Sequence, residues 1–401
     1  MAFALRLLSA SQPAAIRQEM NRIGVTPEGL ELMIGKAEFL IVKVSNISVP
    51  AANILKQEML AKGGEVALGK EMAYLQAGEG EAIIMGTRTQ YRRLLELLPR
   101  QPFGLSALAQ DLNRLLTNIE AGPVPLTIKD RHFEWGKKTY IMGIINLTPD
   151  SFSGDGVFGE DQLLTKVLRQ AEAFLEAGAD LLDIGGQSTR PGYTEISAEE
   201  EKRRILPVLE ILARKIPLPL SVDTYKPAVA KAALAAGADL INDIWGLQKD
   251  PAMVKVAVDA QVPVIAMHNK TTPEYTDLMG EIAAFLQKSI DLAVAQGLPR
   301  EKVIIDPGIG FGKTPAQNLT VLNRLDELKA LGAPIMLGTS RKSVIGHVLD
   351  LPVDQRLEGT AATVALGIAR GAHLIRVHDV EAMVRVARMT DAIIHSADHN
   401  H

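Results

Sequence analysis

The 401-residue chain contains no cysteine. That excludes disulfides, thiolate zinc sites and a cysteine nucleophile. It also lacks a surplus of charge of one sign, with 43 basic against 47 acidic side chains and a net charge of −4. A nucleic-acid partner needs a clustered basic surplus, so none is expected. No run of about 18 uninterrupted apolar residues occurs, and no membrane-spanning segment is expected. Residues 1–15 carry one arginine and a short apolar run without the hydrophobic region of a cleaved signal. They are expected to form an amphipathic helix, and the compartment is expected to be the cytoplasm.

What the chain does have is core-forming material, at 47% hydrophobic and 22% charged residues. Its length suits two or three domains, or one large barrel with an added piece. The pattern changes near residues 118–127. Before it, an apolar run at 39–44, a helical stretch at 49–62, short strands at 65–69 and 81–85 and two further helical runs predict a small α+β domain over residues 1–118. Residues 119–139 read as a linker, Ala121-Gly122-Pro123-Val124-Pro125, followed by a β-hairpin with strands at 126–128 and 132–135.

From 140 to 396, short apolar strands alternate with helices. Strands are expected at 140–145, 181–185, 218–222, 240–244, 262–267, 303–305, 335–337 and 374–377, with helices such as 161–176, 199–213, 278–295 and 357–370. Eight near-continuous apolar strands predict a parallel (β/α)8 TIM barrel, with a doubly wound open sheet as the competitor. Active sites of such barrels sit at the C-terminal ends of the strands. There the sequence places Asn146, then Gly186-Gln187-Ser188-Thr189-Arg190, Asp223, Asn242-Asp243, His268-Asn269, Asp306, Ser340-Arg341-Lys342-Ser343, Arg376 and His378.

Asp, Asn, Ser and Gly also cap helices, so one such residue carries little weight. Eight strand ends of this kind, with Asp223 and Asn242 inside buried strands, call for partners, because an unpaired buried polar group costs a few kcal/mol. Converging amides and carboxylates suit a flat heterocycle with donors and acceptors on its edge. Lys342, Arg376 and His378, with Asn146, could hold a diphosphate and its cation. Gly312-Lys313-Thr314 imitates the end of a phosphate-binding P-loop, but the glycine spacing before it does not fit one. In the first domain, Arg88, Arg92 and Arg93 read as one solvated helix face, and no motif there points to chemistry.

Residues of about 126–392 resemble the dihydropteroate synthases of the folate pathway. The resemblance is carried by Gly143-Ile144-Ile145-Asn146-Leu147-Thr148-Pro149-Asp150-Ser151-Phe152-Ser153, Ser188-Thr189-Arg190-Pro191-Gly192, Ser221-Val222-Asp223-Thr224 and Ile241-Asn242-Asp243. It continues through Asp306-Pro307-Gly308-Ile309-Gly310-Phe311-Gly312-Lys313, Ser340-Arg341-Lys342-Ser343 and Arg376-Val377-His378-Asp379, all in family order. It implies condensation of (7,8-dihydropterin-6-yl)methyl diphosphate with 4-aminobenzoate. By the same resemblance Asp223, Asn242, Asp306 and Lys342 hold the pterin and Arg376 stacks on it. Asn146, Arg376 and His378 hold the diphosphate, with Mg²⁺ at Asn146. Asp223, Lys342, Arg376 and His378 are the catalytic set. Thr189, Arg190, Pro191, Phe311 and Ser343 complete the substrate contacts, Asp150, Ser151, Phe152 and Asp155 lie on the first loop, and a homodimer through the last helices is expected.

Three positions depart from the usual family pattern. Ser153-Gly154-Asp155-Gly156 places the loop carboxylate one residue late, Gln187 stands where Glu is usual, and Met267-His268-Asn269 replaces a Met-His-Met pattern. Three other readings share features with this one. They are a pterin-binding methyltransferase on the same barrel, a Schiff-base aldolase using Lys342, and a pterin-binding or regulatory protein without turnover.

Overall fold

A computed structural model describes residues 4–8, 13–76, 78–147, 160–187 and 195–397. The chain divides into two compact units, Met1–Thr117 with His395–His401, and Asn118–Ile394.

In the first unit, strands β1 (Phe39–Ser48), β2 (Glu65–Leu68) and β3 (Glu79–Thr87) form an antiparallel sheet in the order β1-β3-β2. Strand side chains alternate between faces, so Leu40, Val42 and Val44 turn toward helices while Phe39 and Ile41 stay exposed. The helices Val49–Leu60, Arg88–Leu95 and Leu105–Ala121 supply Leu55, Met59, Tyr91, Leu94, Leu105 and Leu112 to the core. Ser48 caps the first of them through Ala51 N–H, and Thr87 and Gln90 close a reciprocal cap on the second. This is the small α+β unit expected. Two details differ. Arg88 is buried and paired with Glu38, so the cluster with Arg92 and Arg93 is not one solvated face. Of the stretch expected as an amphipathic helix, residues 4–8 have no regular structure, and the first helix among the described residues is Pro13–Arg22.

In the second unit, the hairpin β4 (Leu126–Ile128) and β5 (Arg131–Phe133) precedes eight parallel strands. These are β6 (Tyr140–Asn146), β7 (Leu181–Gly185), β8 (Leu220–Asp223), β9 (Leu240–Asp243), β10 (Val264–Met267), β11 (Val303–Asp306), β12 (Met336–Leu337) and β13 (Leu374–Val377). They run in the order β11-β10-β9-β8-β7-β6-β13-β12, and a parallel bridge between Ile305 and Ile335 joins β11 to β12. The sheet is therefore a closed (β/α)8 barrel, and the open-sheet alternative is set aside. β8 and β10 start later than the apolar runs suggested, just after Pro219 and Pro263, which have no N–H to give a ladder.

Alternation along the strands stacks the interior in layers. At the N-terminal end, Tyr140, Met142, Leu181, Leu240, Ile265, Ile304, Met336 and Leu374 pack with Leu126, Ile128, Phe133 and Trp135 of the hairpin segment. Each fully buried side chain of this kind contributes about 1.5–3 kcal/mol, so this end is closed and apolar. Two residues further along the strands the interior positions become Asp183, Asn242, Met267, Asp306 and Arg376, and polarity collects at the C-terminal mouth.

Candidate active site

Four interior residues form one hydrogen-bonded group. Arg376, on β13, donates through Nε to Asp183 Oδ2 at 2.6 Å and through Nη2 to Asp223 Oδ2 at 2.7 Å. Asn242 Nδ2 also donates to Asp183 Oδ2, at 3.1 Å. Asp183 and Asp223 come from the adjacent strands β7 and β8, in register as Gly185 opposite Asp223. The second oxygens, Asp183 Oδ1 and Asp223 Oδ1, and the hydroxyl of Ser221 are buried without a hydrogen-bond partner among the described residues. Burial is the main force on Asp223, and with the Asp183 charge beside it outweighs Arg376, raising its pKa to about 7. Burial also works against the charged form of Arg376, but Asp183 and Asp223 more than offset it and raise its pKa.

Asp306 ends β11 and Lys342 precedes the helix Ser343–Leu349. Burial raises the Asp306 pKa, opposed by the Lys342 charge and by the Gly308 N–H that Asp306 Oδ1 accepts at 2.7 Å. Burial lowers the Lys342 pKa to about 8, opposed by Asp306. Lys342 Nζ donates to the Ile309 carbonyl and lies 4.7 Å from the centre of the Phe311 ring. Its neighbour Arg341 turns away to Asp379, with Nε 3.0 Å from Oδ2.

The glycine turn that carries Phe311 sits tightly against the segment after β10. Gly308, Gly310 and Gly312 all have positive φ, at 69°, 83° and 53°. A Cβ on Gly308 would fall 1.9 Å from the His268 carbonyl oxygen, and one on Gly312 2.1 Å from that of Lys270, so glycine is required at both. Lys313 Nζ ties the turn together, 2.9 Å from His268 Nδ1, 3.0 Å from the Gly308 carbonyl and 3.1 Å from that of Phe311. The Gly308 and Gly310 N–H groups already serve Asp306 and Asn318, so the turn offers no ring of free amides to a phosphate. His268, whose pKa burial lowers to about 3, is a neutral support packed edge-on to Phe285.

Asn146 ends β6, half-buried, and a methyl on Gly185 would lie 3.7 Å from both Asn146 Oδ1 and Asp223 Oδ2. Asn146 and Asp223 thus flank the same glycine. Among the described residues no three His, Cys, Asp or Glu side chains gather as a metal cage. One neutral amide oxygen at the mouth fits a Mg²⁺ whose other oxygens come from a phosphorylated ligand and water. His378 lies beyond Arg376, with Nδ1 3.0 Å from Ser340 Oγ, which also accepts the His378 backbone N–H at 3.2 Å.

Of the residues singled out in the sequence, Asp223, Asn242 and Arg376 are joined directly, and Asp306, Lys342 and Phe311 form a second group coupled to them by charge. Ser343 is exposed at the start of its helix and has no hydrogen bond to either group. Asp150, Ser151, Phe152, Asp155, Thr189, Arg190 and Pro191 lie outside the described residues. Gln187 is buried and committed. Its Oε1 accepts from Lys226 Nζ at 2.7 Å and Ile196 N at 3.2 Å, and its Nε2 donates to Tyr225 Oη at 3.2 Å. Glu201, at 2.8 Å, gives Lys226 its carboxylate. Two members of the site were missed. Asp183 stands in Leu181-Leu182-Asp183-Ile184, a carboxylate inside an apolar strand, the same signal that drew attention to Asn242. Lys313 was noticed only as a motif end.

The pterin binding enzyme family matches residues 142–378. The dihydropteroate synthase of Clostridium beijerinckii is 48% identical over 270 residues, 67% of this chain and 99% of that protein. A probable bifunctional folylpolyglutamate synthase/dihydropteroate synthase of Halobacterium salinarum is 40% identical over 393 residues. That match takes in 95% of this chain and 46% of the relative, so the likeness reaches into the N-terminal unit. Among solved structures, a Clostridium difficile dihydropteroate synthase determined in the presence of pteroic acid aligns with a TM-score of 0.63 at 49% identity, over 65% of this chain and 98% of that one. The Xanthomonas albilineans enzyme with 4-aminobenzoic acid aligns with a TM-score of 0.64 at 42% identity, over 68% and 98%.

Proposed function

The chain belongs to the dihydropteroate synthase family of pterin-binding enzymes, and on that footing we propose how its residues share the work. The reaction joins (7,8-dihydropterin-6-yl)methyl diphosphate to 4-aminobenzoate, giving 7,8-dihydropteroate and diphosphate. The exocyclic C–O bond breaks with its electron pair passing to the diphosphate oxygen. The aromatic amine supplies the pair for the new C–N bond and gives up one proton.

One observation supports this division most directly: two buried carboxylates, an amide and a guanidinium are joined in one polar layer at the barrel mouth. Asp223, Asn242 and Asp306 present oxygens to the donor-rich edge of the pterin. Lys342 and Arg376 bring positive charge beside its ring, and Arg376 and His378 take the diphosphate. An arylamine is a weak nucleophile, so catalysis rests on the leaving group and on the cation formed as it departs. Asp223 faces that cation. Asn146 would hold Mg²⁺, which when bound would supply charge neutralisation for the leaving diphosphate. Phe311 and Ser343, with Thr189 and Pro191, are assigned to the aminobenzoate, and Arg190 is a further substrate contact.

The protein works as a homodimer in the cytoplasm. Leu366, Met389 and Ile393, all exposed on the helices Leu357–Ala369 and Val380–Ile394, supply an apolar face for the second copy. Among the described residues no helix is long and apolar enough to cross a membrane.

Steady-state kinetics on Asp223→Asn, Asn242→Ala and Lys342→Ala test the arrangement. The first two are expected to lose turnover by about 100-fold or more, and the third to raise KM for the dihydropterin diphosphate. Near-normal kinetics in all three would put the site elsewhere.

A further inference from the structure

We propose that Asp183 is the positioning residue of this pocket: by holding Asn242 Nδ2 and Arg376 Nε on one oxygen, it decides which atoms of each face the ligand. The inference rests on the reading of the barrel mouth as a pterin site, and Asp183 itself need not touch the pterin.

A side-chain amide can turn over at little intrinsic cost, exchanging its oxygen for its NH2 group. An ionised carboxylate accepts and never donates, so Asp183 admits only one of the two orientations. Its Oδ2 takes the Asn242 NH2, which leaves the Asn242 oxygen on the side away from Asp183. A flipped amide would set oxygen against oxygen in a buried layer, where like polar ends repel strongly. Arg376 is fixed by the same atom. Nε on Asp183 and Nη2 on Asp223 leave Nη1 and the guanidinium plane uncommitted among the described residues.

The expense of keeping Asp183 makes the same point. It has no solvent exposure, its Oδ1 has no partner among the described residues, and it stands where Leu181, two residues earlier on the strand, is part of an apolar layer. A barrel interior fills readily with aliphatic side chains, and a well-packed replacement for a buried ion pair is often neutral or stabilising. What Asp183 supplies that Leu could not is a fixed acceptor. With it in place, Asn242 joins Asp223 and Asp306 in presenting oxygens, so the pocket selects a ring edge bearing several N–H donors.

The test is a double-mutant cycle on the full-length chain, read as calorimetric affinity for 6-hydroxymethyl-7,8-dihydropterin. Asp183→Asn is expected to weaken binding about tenfold in the wild-type background and clearly less when Asn242 is already Ala, the remaining loss being the share that passes through Arg376. An equal loss in both backgrounds, or no loss in either, would overturn the proposal, because a structural role would act without regard to Asn242. Asn242→Asp provides a second arm if Asp183→Asn folds poorly. It keeps an oxygen toward the ligand but sets another against Asp183, and at pH 8 it too is expected to weaken binding; wild-type affinity there would overturn the proposal. A wild-type chain that binds no pterin at all would instead remove the reading of the site on which the proposal stands.

Discussion

Arg376 reaches across from the last barrel strand to Asp183 on the second, Nε to Oδ2 at 2.6 Å, and the same guanidinium meets Asp223 on the third. One cation thus serves two buried carboxylates. Taking it away leaves both without compensation, and removing one partner of a buried ion pair costs about 3–5 kcal/mol. Arg376→Gln is therefore expected to lower stability at pH 8 by an amount in that range and to regain part of it as the pH falls and a carboxylate takes up a proton. Denaturant melts at pH 8 and pH 6 measure this, and equal losses at both would contradict it.

The burial of Asp223 sets a pH dependence. Asp223 has its pKa raised to about 7, mainly by burial, and only its ionised form accepts from the pterin without a proton to lose. Pterin affinity should fall as pH drops below about 7, and Asp223→Asn should flatten that limb. The stability effect has the opposite sense. A raised folded-state pKa means that the stabilising contribution of protonated Asp223 is complete below its ordinary 3.8 and is lost as pH rises through about 7. Calorimetric affinity from pH 5.5 to 8.5 checks the first statement, and an affinity independent of pH would refute it.

Gly308 can be tested by a single methyl. Its φ of 69° and the 1.9 Å approach of a built Cβ to the His268 carbonyl leave an alanine nowhere to go without moving the turn. Gly308→Ala should cost more than about 1 kcal/mol, the size expected for an incompatible backbone alone, and should displace Phe311 and Lys342. A thermal melt within a degree of wild type would show that the turn yields easily.

Phe311 lies beside Lys342 Nζ on that turn. If it borders the aminobenzoate rather than the pterin, Phe311→Leu should raise KM for 4-aminobenzoate and weaken sulfonamide inhibition by several-fold, leaving pterin affinity within about twofold. Pro191→Ser is expected to follow the same pattern. Unchanged sulfonamide inhibition in both variants would refute the pocket assignment.

Much of the barrel was legible in the sequence because each parallel strand is buried on both faces and reads as a short apolar run, as with Leu181–Gly185 and Leu374–Val377. Edges were less legible where proline intervened, as at Pro219 and Pro263. Asp223, Asn242 and Arg376 could be picked out as polar residues in such runs, but which of them touch depends on the stagger of strands around the barrel. That is why Asp183, two residues short of the strand end, escaped notice although it is the atom on which Asn242 and Arg376 meet. Arg88 misled for a related reason. Its partner Glu38 lies 50 residues away, and nothing local tells a buried arginine from a solvated one.

The central claim is tested most directly by diphosphate release from (7,8-dihydropterin-6-yl)methyl diphosphate in Mg²⁺ buffer, with and without 4-aminobenzoate. The account predicts release that depends on 4-aminobenzoate and matches dihydropteroate formed, mole for mole. Pterin binding without any such release would contradict it and leave a pterin-binding protein in place of an enzyme.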